Sequence, residues 1–470
     1  MRRVPRLSRL SSCALLLLLN GCAVGPDYVS PAMELPVKWT EGSAPGPRLL
    51  ALSSWWQDLA DPLLDRLMQE AVAGNLDVAS ARAKIREARA SHREAIGGLF
   101  PKLEGSGSAL RERTATAPGN LGNQFQGGFD ASWELDLFGA NARTAEAASY
   151  GAEAAEDDLG NTLLTLVGDV AANYAKARGY QARIALARRT GASQRETAGL
   201  TRAKFEAGSA SAVDVAKAEA QAASTEADLP AYEASYTQAV HRLSFLTGCQ
   251  PGALSDPMKR PAPIPAPHKA LPAGIPANIL RNRPDVRAAE RRLAQATAKI
   301  GKAEAALYPS VSLTGSLSST SASISDFGRA STIAWSWGPS VTIPIFQGGK
   351  LAAARDGIVA QRDEYLIAWK SSVLTALEDV ENALISLAQE RTKLKKLAAS
   401  AENYRKAAEL SRALYTTGKS SFLDVLDAER SLYSAEDSLI QSRVTVATNY
   451  VALAKALGGN WRENDTGAVQ

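Results

Sequence analysis

From Phe129 to Leu137 the chain alternates in character. Phe129, Ala131, Trp133, Leu135 and Leu137 fall on one side of an extended strand, and Asp130, Ser132, Glu134 and Asp136 fall on the other. That period of two marks a strand with one apolar and one polar face. Ile333, Trp335, Trp337, Val341, Ile343 and Ile345 repeat it against Ser336, Ser340 and Thr342. Each run follows a partner, LEGSGSALRER at 103–113 and VSLTGSLSST at 311–320, across a loop rich in Gly, Asn and Ser. Two hairpins are therefore predicted, with strands over about 102–113, 124–138, 310–320 and 332–345.

Elsewhere the apolar positions follow a helical period. Leu159, Leu163, Leu166 and Val170 step by four, three and four, as do Val373, Leu377, Val380, Leu384 and Leu387, and again Ile440, Val444, Ala447 and Val451. A mean step of about 3.5 residues is a coiled-coil seam. Long helices are predicted over about 140–207, 211–247, 347–416 and 421–457. The first would extend roughly 100 Å at about 1.5 Å per residue. Gly208 and Gly418 end two of these runs, as helix-terminating glycines do.

The two halves are copies of one plan. LFPKLEGSGS at 99–108 matches LYPSVSLTGS at 307–316, Asp77 matches Asp285, and Phe138 matches Phe346, all 208 residues apart. AGSASAVDVAKAEAQ at 207–221 matches TGKSSFLDVLDAERS at 417–431 at a shift of 210. The expected organisation is a leader at 1–21, an extended segment at 22–60, repeats at 61–250 and 284–457, a proline-rich connector at 251–283 between them, and a polar tail at 458–470.

The hairpins have two readings: soluble ribbons packed on the helices, or membrane strands with the apolar face toward lipid. Trp133, Trp335 and Trp337 would then face lipid, while Asp130, Glu134 and Asp136 would line a lumen. Four strands cannot close a barrel, and open edges are not tolerated in lipid. A membrane role therefore needs several chains: two would give eight strands and a filled interior, three would give twelve and an aqueous one. No apolar run of 18 or more is present to supply a membrane helix.

The leader carries arginines, then CALLLLL at 13–19, then Asn20, Gly21 and Cys22. LLNGC resembles a bacterial lipobox, which makes Cys22 the lipidated new N-terminus, bearing diacylglyceryl and N-acyl chains. Ala23, where an aspartate is absent, fits outer-membrane sorting of such lipoproteins. The formal charge of +4 vanishes with the leader, because losing Arg2, Arg3, Arg6 and Arg9 leaves 49 basic against 49 acidic residues. No basic nucleic-acid surface is indicated. Cys249 is then the single cysteine of the body and is expected as a small buried residue. His92, His241 and His268 are scattered, without metal-ligand spacing, and neither a nucleophile elbow nor a phosphate loop is present. No enzyme, metal or dissociable cofactor is expected.

Asp424 and Asp427, in LDVLDA, lie three apart and share one helical face. Ser421 with Asp424, and Ser211 with Asp214, fit capping boxes just past the terminating glycines, which explains those two acids without further function. Asp427 is different: its counterpart in the first copy is Lys217. Paired carboxylates on one exposed face do not make a glycosidase, whose acids flank a substrate.

The lipobox, the start CAVGPDYVSP at 22–31, the duplicated hairpin-plus-long-helix plan and the twin G-x-x-x-x-x-D-V turns together resemble the TolC family of outer-membrane efflux proteins, of the NodT or OprM lipoprotein type. The resemblance covers essentially the whole mature chain. It implies an α+β membrane protein: a homotrimer with a twelve-stranded outer-membrane barrel continued by a helical tunnel into the periplasm. It also implies a periplasmic adaptor and an inner-membrane resistance-nodulation-division transporter as partners, in the export of small toxic compounds or drugs. Asp424 and Asp427 would form a ring of six carboxylates at the periplasmic constriction, and Tyr415 would bond to Asp214 to hold the entrance shut. Where well-known members carry an arginine in that network, this chain has Ser420 beside Lys419. A duct for type I protein secretion and a non-channel periplasmic coiled-coil lipoprotein stay open as alternatives.

Overall fold

The computed structural model describes residues 23–40, 52–113, 121–268, 271, 276 and 283–458. The leader, Cys22 and residues 459–470 lie outside the described residues. The elements run α1 (Pro62–Gly74), α2 (Leu76–Gly97), β1 (Lys102–Arg113), β2 (Leu121–Leu135), α3 (Ala140–Glu206), α4 (Ala212–Ala227), α5 (Leu229–Leu246), α6 (Ser255–Lys259), α7 (Pro284–Ala305), β3 (Ser310–Ser321), β4 (Ile333–Thr342), α8 (Lys350–Thr416) and α9 (Phe422–Ala456). The duplication is visible in these bounds. α2 and α7 are each 22 residues, and α3 and α8 are each 67.

Two compact units share the chain. One joins Ala83–Glu156 and Ala288–Ser371 with the N-terminal segment up to Ala32; the other comprises Met33–Arg82, Asp157–Arg287 and the chain from Ser372 onward.

The first unit holds a four-stranded antiparallel sheet in the order β1-β2-β3-β4. Partners across an antiparallel ladder share a face. Leu103, Ala131, Gly315 and Trp337 form one such row, and Phe129, Leu317 and Trp335 belong to the next row on the same side. The other face carries Glu104, Asp130, Ser316 and Ser336 in a single row. Trp335 is 71% exposed and Trp337 73% exposed, so this apolar face covers no core. Among the described residues no helix is long and apolar enough to cross a membrane.

The second strand of each hairpin ends for a local reason. β2 stops at Leu135 because the Leu137 N–H donates back to the Leu135 carbonyl, 2.8 Å away. β4 stops at Thr342, just before Pro344, which has no N–H to offer a ladder. Asp136 is consequently not a lumen residue of the sheet. Its carboxylate accepts the N–H groups of Asn141 at 3.1 Å and Ala142 at 2.7 Å, satisfying free donors at the start of α3.

The N-terminal segment docks in this unit. Arg143, 5% exposed, donates to the carbonyls of Val24 and Gly25, each at 3.4 Å, and to the carboxylates of Asp27 and Glu146, each at 2.7 Å. The Tyr28 and Ser30 hydroxyls both donate to Glu290, at 2.9 and 2.8 Å. Gly25 has φ +88°, and a Cβ there would meet the Gly301 Cα at 2.5 Å, so only glycine brings the segment this close to α7.

In the second unit Leu64, Leu67 and Met68 of α1 are fully buried, as are Val167, Val170 and Tyr174 of α3 and Tyr450 of α9. Asp61 caps α1 through the Leu63 and Leu64 N–H groups and accepts the Tyr174 hydroxyl at 2.5 Å. The helix expected over 211–247 is two helices. Pro230, without an N–H, sits in the first turn of α5, and Asp228 between the helices accepts the Tyr433 hydroxyl at 2.9 Å. Cys249 is exposed, contrary to expectation. It follows Gly248 (φ +75°) at the end of α5, where its N–H closes the helix on the Ser244 carbonyl at 2.8 Å and its side chain is left outside.

Candidate functional site at the helical turns

The α3–α4 and α8–α9 turns are built alike. Gly208 (φ +76°) and Gly418 (φ +74°) take the left-handed conformation, and the next N–H reaches back five residues: Ser209 to the Lys204 carbonyl, and Lys419 to the Leu414 carbonyl, both at 2.8 Å. Capping boxes then start both following helices, Ser211 with Asp214 and Ser421 with Asp424. The second turn adds one bond, from the Ser420 hydroxyl to Asp424 at 2.8 Å, where the first copy has Ala210. The Ser420 hydroxyl, followed by the Ser421 hydroxyl and N–H, holds the Asp424 carboxyl below its ordinary value and keeps it ionised.

Around Asp424 the face pattern is sharp. Val425, Leu426 and Ala428 are buried, whereas Leu423, Asp424 and Asp427 are exposed. The two aspartates therefore present free carboxylate oxygen on one open side of α9.

The expected bond from Tyr415 to Asp214 is absent. Tyr415 is 5% exposed, packed with Ala198, Ala218, Phe422, Val425 and Leu426, and its hydroxyl donates to Thr201 on α3 at 3.1 Å. Lys204 lies over the Tyr415 ring, 4.3 Å from its centroid, and donates to the Tyr415 carbonyl. Asp214 is occupied by Ser211. The reason is packing: an aromatic ring set in an apolar cluster turns its hydroxyl to the nearest polar group on the same wall, and that is Thr201. Lys419 is exposed and contributes its N–H to the turn. Tyr415→Phe is expected to cost about 1 kcal/mol of stability through this single bond. Thermal unfolding would check it, and a cost equalled by Asp214→Asn through the same pathway would contradict the Thr201 assignment.

The duplication exposes a residue that sequence patterns overlooked. Arg202 and Glu219 form an ion pair in the first copy; their counterparts 210 residues on are Arg412 and Glu429. Arg412 instead bonds Ser193 at 2.8 Å and Glu196 at 2.7 Å on α3, leaving Glu429 half-buried beside the Thr197 hydroxyl at 2.9 Å. Burial raises the Glu429 pKa, against weaker lowering by Thr197 and Arg412. A carboxyl with a raised folded pKa binds its proton more tightly folded than unfolded, so stability falls as pH rises from the unfolded value through the folded one. Glu429→Gln is expected to raise the melting temperature at neutral pH, with the difference shrinking as the pH is lowered. A gain independent of pH would rule out the ionised carboxyl as the cause.

On the sheet, Asp130 and Glu134 are exposed on the polar face, with Asp130 directly opposite Glu104. Among the described residues no cluster of His, Cys, Asp or Glu has metal-site geometry.

Comparison with known proteins places this arrangement. The chain matches the family described as outer membrane efflux protein over residues 67–249 and 275–459. Nodulation protein T of Rhizobium leguminosarum bv. trifolii is 36% identical over 465 residues, 97% of this chain and 98% of that protein. The solvent efflux pump outer membrane protein SrpC of Pseudomonas putida is 33% identical over 458 residues, 95% of this chain and 97% of that one. The solved structure of the outer-membrane channel OprN superposes with a TM-score of 0.87 at 36% identity, covering 94% of this chain and all of that one.

Proposed function

This chain belongs to the outer membrane efflux protein family, and we propose that it serves as the passive outer-membrane duct of a tripartite pump for small toxic compounds. It is an outer-membrane channel protein and not an enzyme. Three copies supply twelve strands to one barrel, continued by their long helices. The observation that carries this reading is the sheet. It exposes an apolar face and leaves β1 and β4 as open edges, and lipid accepts that arrangement only when other copies close the ring. Driving energy comes from an inner-membrane transporter of the resistance-nodulation-division class, reached through a periplasmic adaptor. Lipid on Cys22 anchors the mature N-terminus. The relative named as part of a solvent efflux pump supports small apolar cargo over secreted protein.

Two measurements test the proposal together. Light scattering of the purified protein in mild detergent should give three chains per particle, and the same particles should conduct in planar bilayers. Monomers, or trimers without conductance, would refute the duct. In cells, deletion of the gene should raise sensitivity to solvents and dyes and leave protein secretion unchanged; the reverse result would favour the secretion alternative.

A further inference from the structure

Phe138, which leaves β2, stacks on Tyr308, which enters β3, with ring centroids 4.8 Å apart and planes at 20°. Their residue numbers total 446, as do those of every pair in the β2–β3 ladder from Phe125 with Ser321 to Leu135 with Val311. The stack therefore lies in register with the ladder, just below its end.

The duplication gives each ring a counterpart 208 residues away, Phe346 for Phe138 and Phe100 for Tyr308. Neither counterpart is covered: Phe346 is 89% exposed and Phe100 64% exposed. They flank the two unpaired edges, since Phe346 follows β4 and Phe100 precedes β1. One copy cannot bring opposite edges of its own sheet together.

We infer that Phe346 of each copy stacks on Phe100 of the next, and that this aromatic pair sets the register in which β4 closes onto the neighbouring β1. The inference rests on the three-copy barrel and specifies its seam. Moving one strand by 208 residues forward and its partner by 208 back leaves the total of 446 unchanged. The seam then opposes Trp335 to the neighbouring copy's Arg111, Trp337 to its Ala109 and Val341 to its Gly105. Trp337 and Val341 thus meet small residues, and Arg111 meets Trp335, a pairing that allows a cation–π contact, while Arg113 falls opposite Ile333.

A competing register follows from the hairpins. Pairs in β1–β2 total 234 and pairs in β3–β4 total 652, two more than a uniform shift of 208 gives. If β4 carried that extra step into the seam, the total would be 448. Strand tilt separates the two. Following the ladders once round a chain, the register advances six residues for 446 and eight for 448. Over twelve strands at about 3.3 Å per residue and about 4.8 Å per strand, tilts of roughly 46° and roughly 54° result. Outer-membrane barrels tilt by about 35–45°, which favours 446.

Cysteine pairs in the full-length, membrane-inserted protein test the seam. In a Cys249→Ser background, Trp337→Cys is combined in turn with Ala109→Cys, Arg111→Cys and Gly107→Cys, and outer membranes are oxidised and run on non-reducing gels. The Ala109 combination should give linked trimers in at least about tenfold greater yield than either other combination, because directly opposed residues have Cβ atoms about 5 Å apart and a two-residue slip moves them out of reach. Phe346→Cys with Phe100→Cys reads the same register below the strands and should also link. Greater yield with Arg111→Cys or Gly107→Cys, or no linkage in any pair while light scattering still reports three chains, overturns the seam and leaves the trimer standing. Absence of three-chain particles in the Cys249→Ser parent removes the trimer, and the seam with it.

Discussion

The parent channel should prefer cations in planar bilayers under a salt gradient, and Asp424→Asn together with Asp427→Asn should abolish that preference. The expectation follows from the exposure of both carboxylates on one side of α9 and from threefold repetition, which turns two aspartates into six. A ring of fixed negative charge concentrates cations at a constriction. The single variants should differ. Asp424 is held by three bonds from Ser420 and Ser421, so Asp424→Asn also weakens the start of α9. Asp427 takes no part in that cap, so Asp427→Asn should alter selectivity with little change in stability. A parent-like reversal potential in the double variant would show that the narrow charged passage lies elsewhere.

Arg283→Ala should cost about 3 kcal/mol of stability. Arg283 is 7% exposed, and its guanidinium joins three partners: the Asp285 carboxylate at 2.7 and 3.0 Å, Asp379 on α8 at 3.0 Å, and the Ala456 carbonyl in the last turn of α9 at 3.2 Å. It thus neutralises two acids and satisfies one of the carbonyls that a helix end leaves free. Asp379 is half exposed, so water recovers part of its loss, which keeps the figure at the low end of the range for buried pairs. Denaturant unfolding of the solubilised protein would measure it, and a cost below about 1 kcal/mol would show that the three partners are satisfied without Arg283.

What the sequence made legible, and what it hid, follows from the range of each interaction. Alternation in Phe129–Leu135 and Ile333–Thr342 was readable because strand side chains switch faces at every residue, and a second copy repeated the message. The Ser-x-x-Asp caps were readable because partner and donor lie three residues apart. Asp136 was misread because alternation in the sequence continues for two residues, to Leu137, beyond the end of β2 at Leu135. The break at Asp228 was hidden by Pro230, since a proline in a first helical turn disturbs neither apolar spacing nor composition. Tyr415 and Arg143 were beyond reach. Their partners, Thr201 and the Val24–Asp27 segment, are set by which faces of distant elements meet, 214 residues away for Thr201 and 116 for Asp27.

The docked N-terminal segment bears on how the molecule sits in its bilayer. Ala23, the residue after Cys22, already lies where a Cβ on Gly139 would be 2.8 Å from its Cα, and Gly139 is the last residue before α3. Acyl chains proposed for Cys22 would attach one residue before Ala23, which is itself docked where strand gives way to helix. A lipid on a free tether only keeps a protein near a membrane. The lipid proposed for Cys22 would act as a depth gauge, coupling the height at which the strands sit in the bilayer to the small set of bonds around Arg143.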